Sequence, residues 1–120
     1  MLYEYSPLSL QKNYENEKWL KKKYGSNIAE GMIKFLNVLE AAENAYDIKS
    51  KPQFYMEHKK GNLKSFYAIS LDKKKSKWRL MIQMLDDLDN IVIPTANEKE
   101  FLKGIKKIRI KEISSHYDEY

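Results

Sequence analysis

The stretch SFYAISLDKKKSKWRLMIQML, Ser65 to Leu85, decides the fold. Its first part alternates, placing Tyr67, Ile69 and Leu71 on one side of an extended chain, which is the period of a half-buried strand. Its last part alternates as well. Trp78, Leu80, Ile82 and Met84 share one side, and Arg79, Met81 and Gln83 share the other. DKKKSK between them is a polar connection suited to a hairpin. The lysines therefore sit on a hairpin tip, with Arg79 just inside it. Charges of one sign crowded together repel, so such a tip is either a solvated loop or a holder of something anionic.

Upstream, Leu2 to Tyr5 reads as a short strand, and Ser6 with Pro7 reads as the N-cap and first residue of a charged helix running to about Tyr24. Gly25 follows as a stop. Asn27 with Glu30 reads as a capping box, and Ile28, Met32, Phe35, Leu36, Leu39, Ala42 and Tyr46 recur at helical spacing. Two helices joined by so short a turn predict an antiparallel hairpin. Downstream come the polar excursion with Asp86, Asp87 and Asp89, a short strand Ile91 to Ile93 ended by Pro94, one or two helical turns from Glu98 to Lys103, and the alternating strand KIRIKEI. Helices first and strands afterwards predict α+β: an N-terminal helical hairpin packed on one face of a small antiparallel twisted sheet, the other face more open. The whole chain, 1–120, is expected to form one domain, since no repeat or Pro/Gly-rich linker divides it.

The chain has no cysteine, which excludes disulfides, thiolate zinc sites and thiol nucleophiles and fits a reducing cytoplasm. No apolar run approaches the roughly 20 residues that cross a bilayer, so no membrane partner is expected. No metal site or cofactor is expected either, because the two histidines lack ligand spacing. The net charge is +5. Between Lys59 and Arg79 eight basic residues stand against Asp72 alone, so that segment carries +7 and the remainder −2. Charge gathered in one segment is the footprint of a nucleic-acid or phosphate surface.

YGSNIAE, AAENAYDI, HKKGNLKSFYAISL, KWRLMI, and IPT leading to IRIKEISSHY together resemble the RelE/ParE superfamily of bacterial toxins, closest to its HigB-like, plasmid-killer branch. The resemblance runs from about Tyr14 to Tyr117. It implies a toxin of a type II toxin–antitoxin system that enters the ribosome and cuts messenger RNA without metal, by attack of a ribose 2′-hydroxyl on the adjacent phosphate. It also implies a cognate helix-turn-helix, HigA-like antitoxin, with operator DNA reached only through that partner. Carried over residue by residue, Arg79 matches the arginine after an aromatic residue on the central strand and would clamp the scissile phosphate. His58, Lys59 and Lys60 match the basic segment before Gly61 and, with Lys64, Lys73, Lys74, Lys75 and Lys77, would contact RNA. His116 and Tyr117 match the polar end where relatives read aspartate, tyrosine, histidine; here Ser115 replaces the acid, and either His116 or Tyr117 would handle the proton.

Each residue also has a plain reading. Lysines at a hairpin tip are commonly just solvated. Arg79 would in that case pair with a carboxylate at the core edge, and His58 and His116 would be exposed bystanders. Trp78 reads as core rather than as a base-stacking platform. Two other functions fit the same fold: a ParE-like inhibitor of DNA gyrase, and a non-catalytic RNA-binding module whose lysines touch phosphates only.

Overall fold

A computed structural model describes residues 1–116. Six strands form one sheet: β1 (Leu2–Tyr5), β2 (Glu57–His58), β3 (Tyr67–Ile69), β4 (Arg79–Leu85), β5 (Ile91–Val92) and β6 (Lys107–Ser114). Their order is β1-β6-β4-β3-β2, with β5 paired to the far end of β4. The helices are α1 (Leu10–Tyr14), α2 (Glu17–Tyr24), α3 (Ser26–Ala41), α4 (Ala45–Lys49) and α5 (Glu98–Lys103). The α+β architecture predicted from the sequence is the one observed, with α2 packed on α3. One feature was not foreseen. β1 runs parallel to β6, while every other pair is antiparallel.

The core forms where two periodicities meet. α3 buries Ile28, Met32, Phe35 and Leu39 along one stripe, and the sheet offers Tyr67, Ile69, Leu80, Ile82, Met84, Ile108, Ile110 and Ile113 against it. Trp78 belongs to this layer. Its ring meets that of Tyr24 edge-on at 4.8 Å, which agrees with the core reading.

Four helix boundaries differ from the expected ones. Pro7 does not open a helix; the carbonyls of Pro7 and Leu8 close turns onto Leu10 and Gln11, and α1 starts only at Leu10. The first helix is also broken, because Asn16 is extended and caps α2, its side chain accepting from the Trp19 amide at 3.0 Å. The capping box at Asn27 does not form. Gly25, with φ +97°, turns the chain so that α3 begins at Ser26, leaving Asn27 inside the helix. Finally α3 stops at Ala41. Asn44 then accepts from the Asp47 amide and starts α4 afresh, which puts Tyr46 on a separate helix.

The second sheet face is closed at its centre rather than open. Ala68, Met81, Gln83 and Ser114 are buried there. Register sets Gln83 beside Arg109 and Met81 beside Glu112, so long charged side chains border the middle of this face. Gln83 also donates to the Ser65 hydroxyl at 3.1 Å.

β6 contains a bulge: Met81 pairs with Glu112 but Ile82 pairs with Ile110, leaving Lys111 as the extra residue. β1 reaches only Ile110, so past the bulge β6 has no strand partner on that side among the described residues. The buried Tyr14 hydroxyl fills the gap by accepting from the Ile113 amide at 2.8 Å. Burial pushes the Tyr14 phenol above its ordinary pKa, which keeps it neutral. Tyr14→Phe would strand a buried amide, and a loss of about 1–3 kcal/mol is expected in urea denaturation. An unchanged midpoint would mean that this bond contributes nothing.

Candidate functional site

At one end of the sheet β3 finishes, β4 starts and β6 finishes. The connection between β3 and β4 is an ordered structure, not a slack loop. Buried Ser70 accepts from the Lys74 amide through its hydroxyl at 2.7 Å, and the Asp72 carbonyl accepts from the Lys75 amide at 3.2 Å. Lys73 and Lys74 both take left-handed backbone conformations, φ 57° and 63°, which L-residues adopt at a cost. Lys73, Lys74, Lys75 and Lys77 are all exposed, so their charges reach solvent from a fixed frame.

Arg79 opens β4 on the second face, half-buried. Its Nη1 donates to the carbonyls of Ser76 at 2.7 Å and Trp78 at 2.8 Å, which folds the guanidinium over the base of the hairpin. Across the ladder Arg79 faces Ser114. The Ser114 hydroxyl accepts from the His116 amide at 3.2 Å, which fixes the turn in which exposed His116 stands. The bulge decides this meeting. Without its extra residue, Ile113 would stand opposite Arg79; with it, Glu112 and Ser114 join Arg79 on the second face and Ile113 turns into the core. The structure thus brings Arg79, His116 and the hairpin lysines to one end of the sheet. Tyr117 lies outside the described residues.

The other basic segment lies elsewhere. His58 pairs with Tyr67 and Lys59 bonds to Phe66, at the far end of β3 from the hairpin. Three residue steps along β4, from Ile82 to Arg79, separate the two levels, roughly 10 Å at about 3.3 Å per residue. His58 sits on the helical side, tilted against Tyr67 at 5.0 Å, and its Nε2–H donates to the Lys64 carbonyl at 2.7 Å, closing its own loop. A carbonyl only accepts, so that nitrogen carries the proton. Lys59 is largely covered and lies 3.7 Å from Glu57, whereas Lys60 and Lys64 are exposed. Burial and the Glu98 carboxylate beneath hold the Tyr67 phenol above its ordinary pKa, and its hydroxyl donates to Glu98 at 3.1 Å.

Glu112 was not singled out from the sequence. It is an exposed carboxylate on the Arg79 face, two ladder rows from the Arg79–Ser114 pair. Its signal was present in the spacing of Ile108, Ile110 and Ile113, whose final gap of three breaks the alternation. Among the described residues no group of three or more His, Cys, Asp or Glu is placed to hold a metal ion, and no helix is long and apolar enough to cross a membrane.

A family model described as a RelE-like toxin of the type II toxin–antitoxin system HigB matches residues 4–92. Toxin HigB-1 of Vibrio cholerae serotype O1 (strain ATCC 39315 / El Tor Inaba N16961) is 30% identical over 86 residues, covering 72% of this chain and 86% of that protein. No solved structure matches significantly. The family match takes in the hairpin and Arg79 and stops before β6, so the place of His116 rests on sheet register alone.

Proposed function

Given that the chain belongs to the HigB-like family of RelE-like toxins from type II toxin–antitoxin systems, we propose that it is a ribosome-dependent endoribonuclease that cuts messenger RNA and so stops translation. The observation that carries this reading is the meeting of Arg79 and the His116 turn on neighbouring strands, under a fixed rim of lysines. In the reaction a ribose 2′-oxygen attacks the adjacent phosphorus and the bond from phosphorus to the 5′-oxygen breaks. A 2′,3′-cyclic phosphate and a 5′-hydroxyl result. The phosphorane gathers negative charge, which the Arg79 guanidinium offsets. The attacking hydroxyl loses a proton and the departing oxygen gains one, a task for His116 and Tyr117. Lys73, Lys74, Lys75 and Lys77 hold the flanking phosphates, and His58, Lys59, Lys60 and Lys64 meet RNA farther along the sheet. No step calls for a metal or an organic cofactor.

As a type II toxin the protein has a cognate antitoxin. The partner that suits this surface is a HigA-like helix-turn-helix protein whose acidic residues cover the lysine hairpin, or which clamps the helices and blocks entry to the ribosome. Operator DNA is then bound by that protein and not by this one. The same fold would also serve a gyrase inhibitor, or a module that only binds RNA. Primer extension on translated message during induction separates them. Cuts in register with codons are expected; intact message with arrested replication would identify gyrase as the target, and intact message with replication unaffected would leave binding alone.

A further inference from the structure

We infer that Tyr55 and Lys74 form a clamp for one unpaired nucleobase of the RNA, the phenol ring stacking on the base and the lysines holding its phosphate. The inference rests on RNA being the ligand, and it adds a contact outside the Arg79 site. Four non-glycine residues among those described have positive φ: Tyr55 at 45°, Lys73 at 57°, Lys74 at 63°, and Asp89 in the turn after β4. The first three converge. Lys74 Nζ stands 5.1 Å from the centroid of the Tyr55 ring. A bulky residue in the left-handed region is a genuine outlier, and such conformations persist where the surroundings impose them, often at ligand clamps.

The surroundings here are specific. Tyr55 follows the turn Pro52–Phe54, and the Phe54 carbonyl accepts from the Ser70 amide at 2.8 Å. Ser70 is fully buried, and its hydroxyl anchors the Lys74 amide. One serine thus ties the aromatic segment and the lysine hairpin together. Phe54 and Met56 on either side turn into the core, while Tyr55 keeps 48% of its surface in solvent. An exposed aromatic ring beside fixed cations is the arrangement that holds a single strand without regard to sequence, because every base has a π-face and every linkage a charge. An acidic protein segment would use the lysines but would have no need of the ring. The clamp stands at the hairpin end of β3, the end that carries Arg79, so a strand held there continues toward the cleavage position.

The test is anisotropy titration of a ten-nucleotide single-stranded RNA and of a strand of the same length in which every nucleotide is abasic. Tyr55→Ala and Tyr55→Leu should each bind the intact strand about tenfold or more weakly, with Tyr55→Phe within about twofold of the original. Lys74→Gln should lower the salt slope by about 0.7. The abasic strand should bind the original protein weakly, and Tyr55→Ala should then cost little more. Thermal melts of all variants should coincide, since the ring is exposed. The inference is overturned if Tyr55→Ala keeps full affinity, if the original protein fails to bind the strand, or if Tyr55→Ala loses the antitoxin and not the RNA. Cutting of ribosome-bound message is scored separately. Tyr55-dependent binding without any cutting would remove the nuclease reading and leave the clamp, whereas normal cutting with Tyr55-independent binding would remove only the clamp.

Discussion

Gly31→Ala should destabilise the protein by about 3 kcal/mol or more, although it replaces a poor helix former with the best one. Gly31 lies in the middle of α3, where alanine would ordinarily gain about 1 kcal/mol. A Cβ built there, however, stands 1.7 Å from the Leu71 carbonyl oxygen, 2.6 Å from its carbon and 2.8 Å from the Leu71 Cβ. Two of those atoms belong to backbone, which cannot rotate away. α3 must therefore lift from the sheet, and the steric cost exceeds the propensity gain. Leu71 leads directly into Asp72 and the lysine hairpin, so the displacement should also disturb the rim above Arg79. Urea denaturation checks the first effect and cleavage of ribosome-bound message the second. A variant more stable by about 1 kcal/mol would show that helix and strand do not approach so closely.

Arg79→Ala should lower the cleavage rate by about 10²–10³-fold, the usual cost of removing a preorganised group that meets charge developing in the transition state. The same side chain holds the hairpin through the Ser76 and Trp78 carbonyls, so a fall in stability of about 1 kcal/mol should accompany it. The two roles can be separated. Arg79→Lys keeps the charge but loses the planar fork that lets one group address carbonyls and a phosphate at once. Its rate should fall between those of arginine and alanine, with ribosome association within a few-fold of the original. If both variants cut at the original rate, Arg79 is a hairpin staple and nothing more.

Much of this arrangement is legible in the sequence. The alternation in YAISL and WRLMIQM gives the hairpin, the inward position of Trp78 and Leu80, and the outward position of Arg79. The amphipathic run from Ile28 gives α3. What escaped has local causes. Asn16 and Asn44 each restart a helix by capping, a choice that side-chain geometry settles and helical spacing does not show. The parallel pairing of β1 joins residues more than 100 positions apart, which no local pattern encodes. In KIRIKEIS the bulge was written into the gap between Ile110 and Ile113, yet reading it as plain alternation hides the placement of Glu112 and Ser114 beside Arg79. Tyr55 escaped for another reason. Its exposure and its partner follow from left-handed backbone at non-glycine residues, which composition does not announce. The basic segment around His58 looked continuous with the hairpin lysines in sequence, but antiparallel pairing of β2 and β3 sends the two to opposite ends of one short strand.

The central claim is that Arg79 and His116 act together on one phosphodiester. Single-turnover cleavage of ribosome-bound message by Arg79→Ala, His116→Ala and the double variant tests it most directly. Groups that serve one transition state are strongly non-additive, so the double variant should cut about as slowly as the slower single one. Losses that simply multiply, or a His116→Ala protein that cuts at the original rate, would contradict the account.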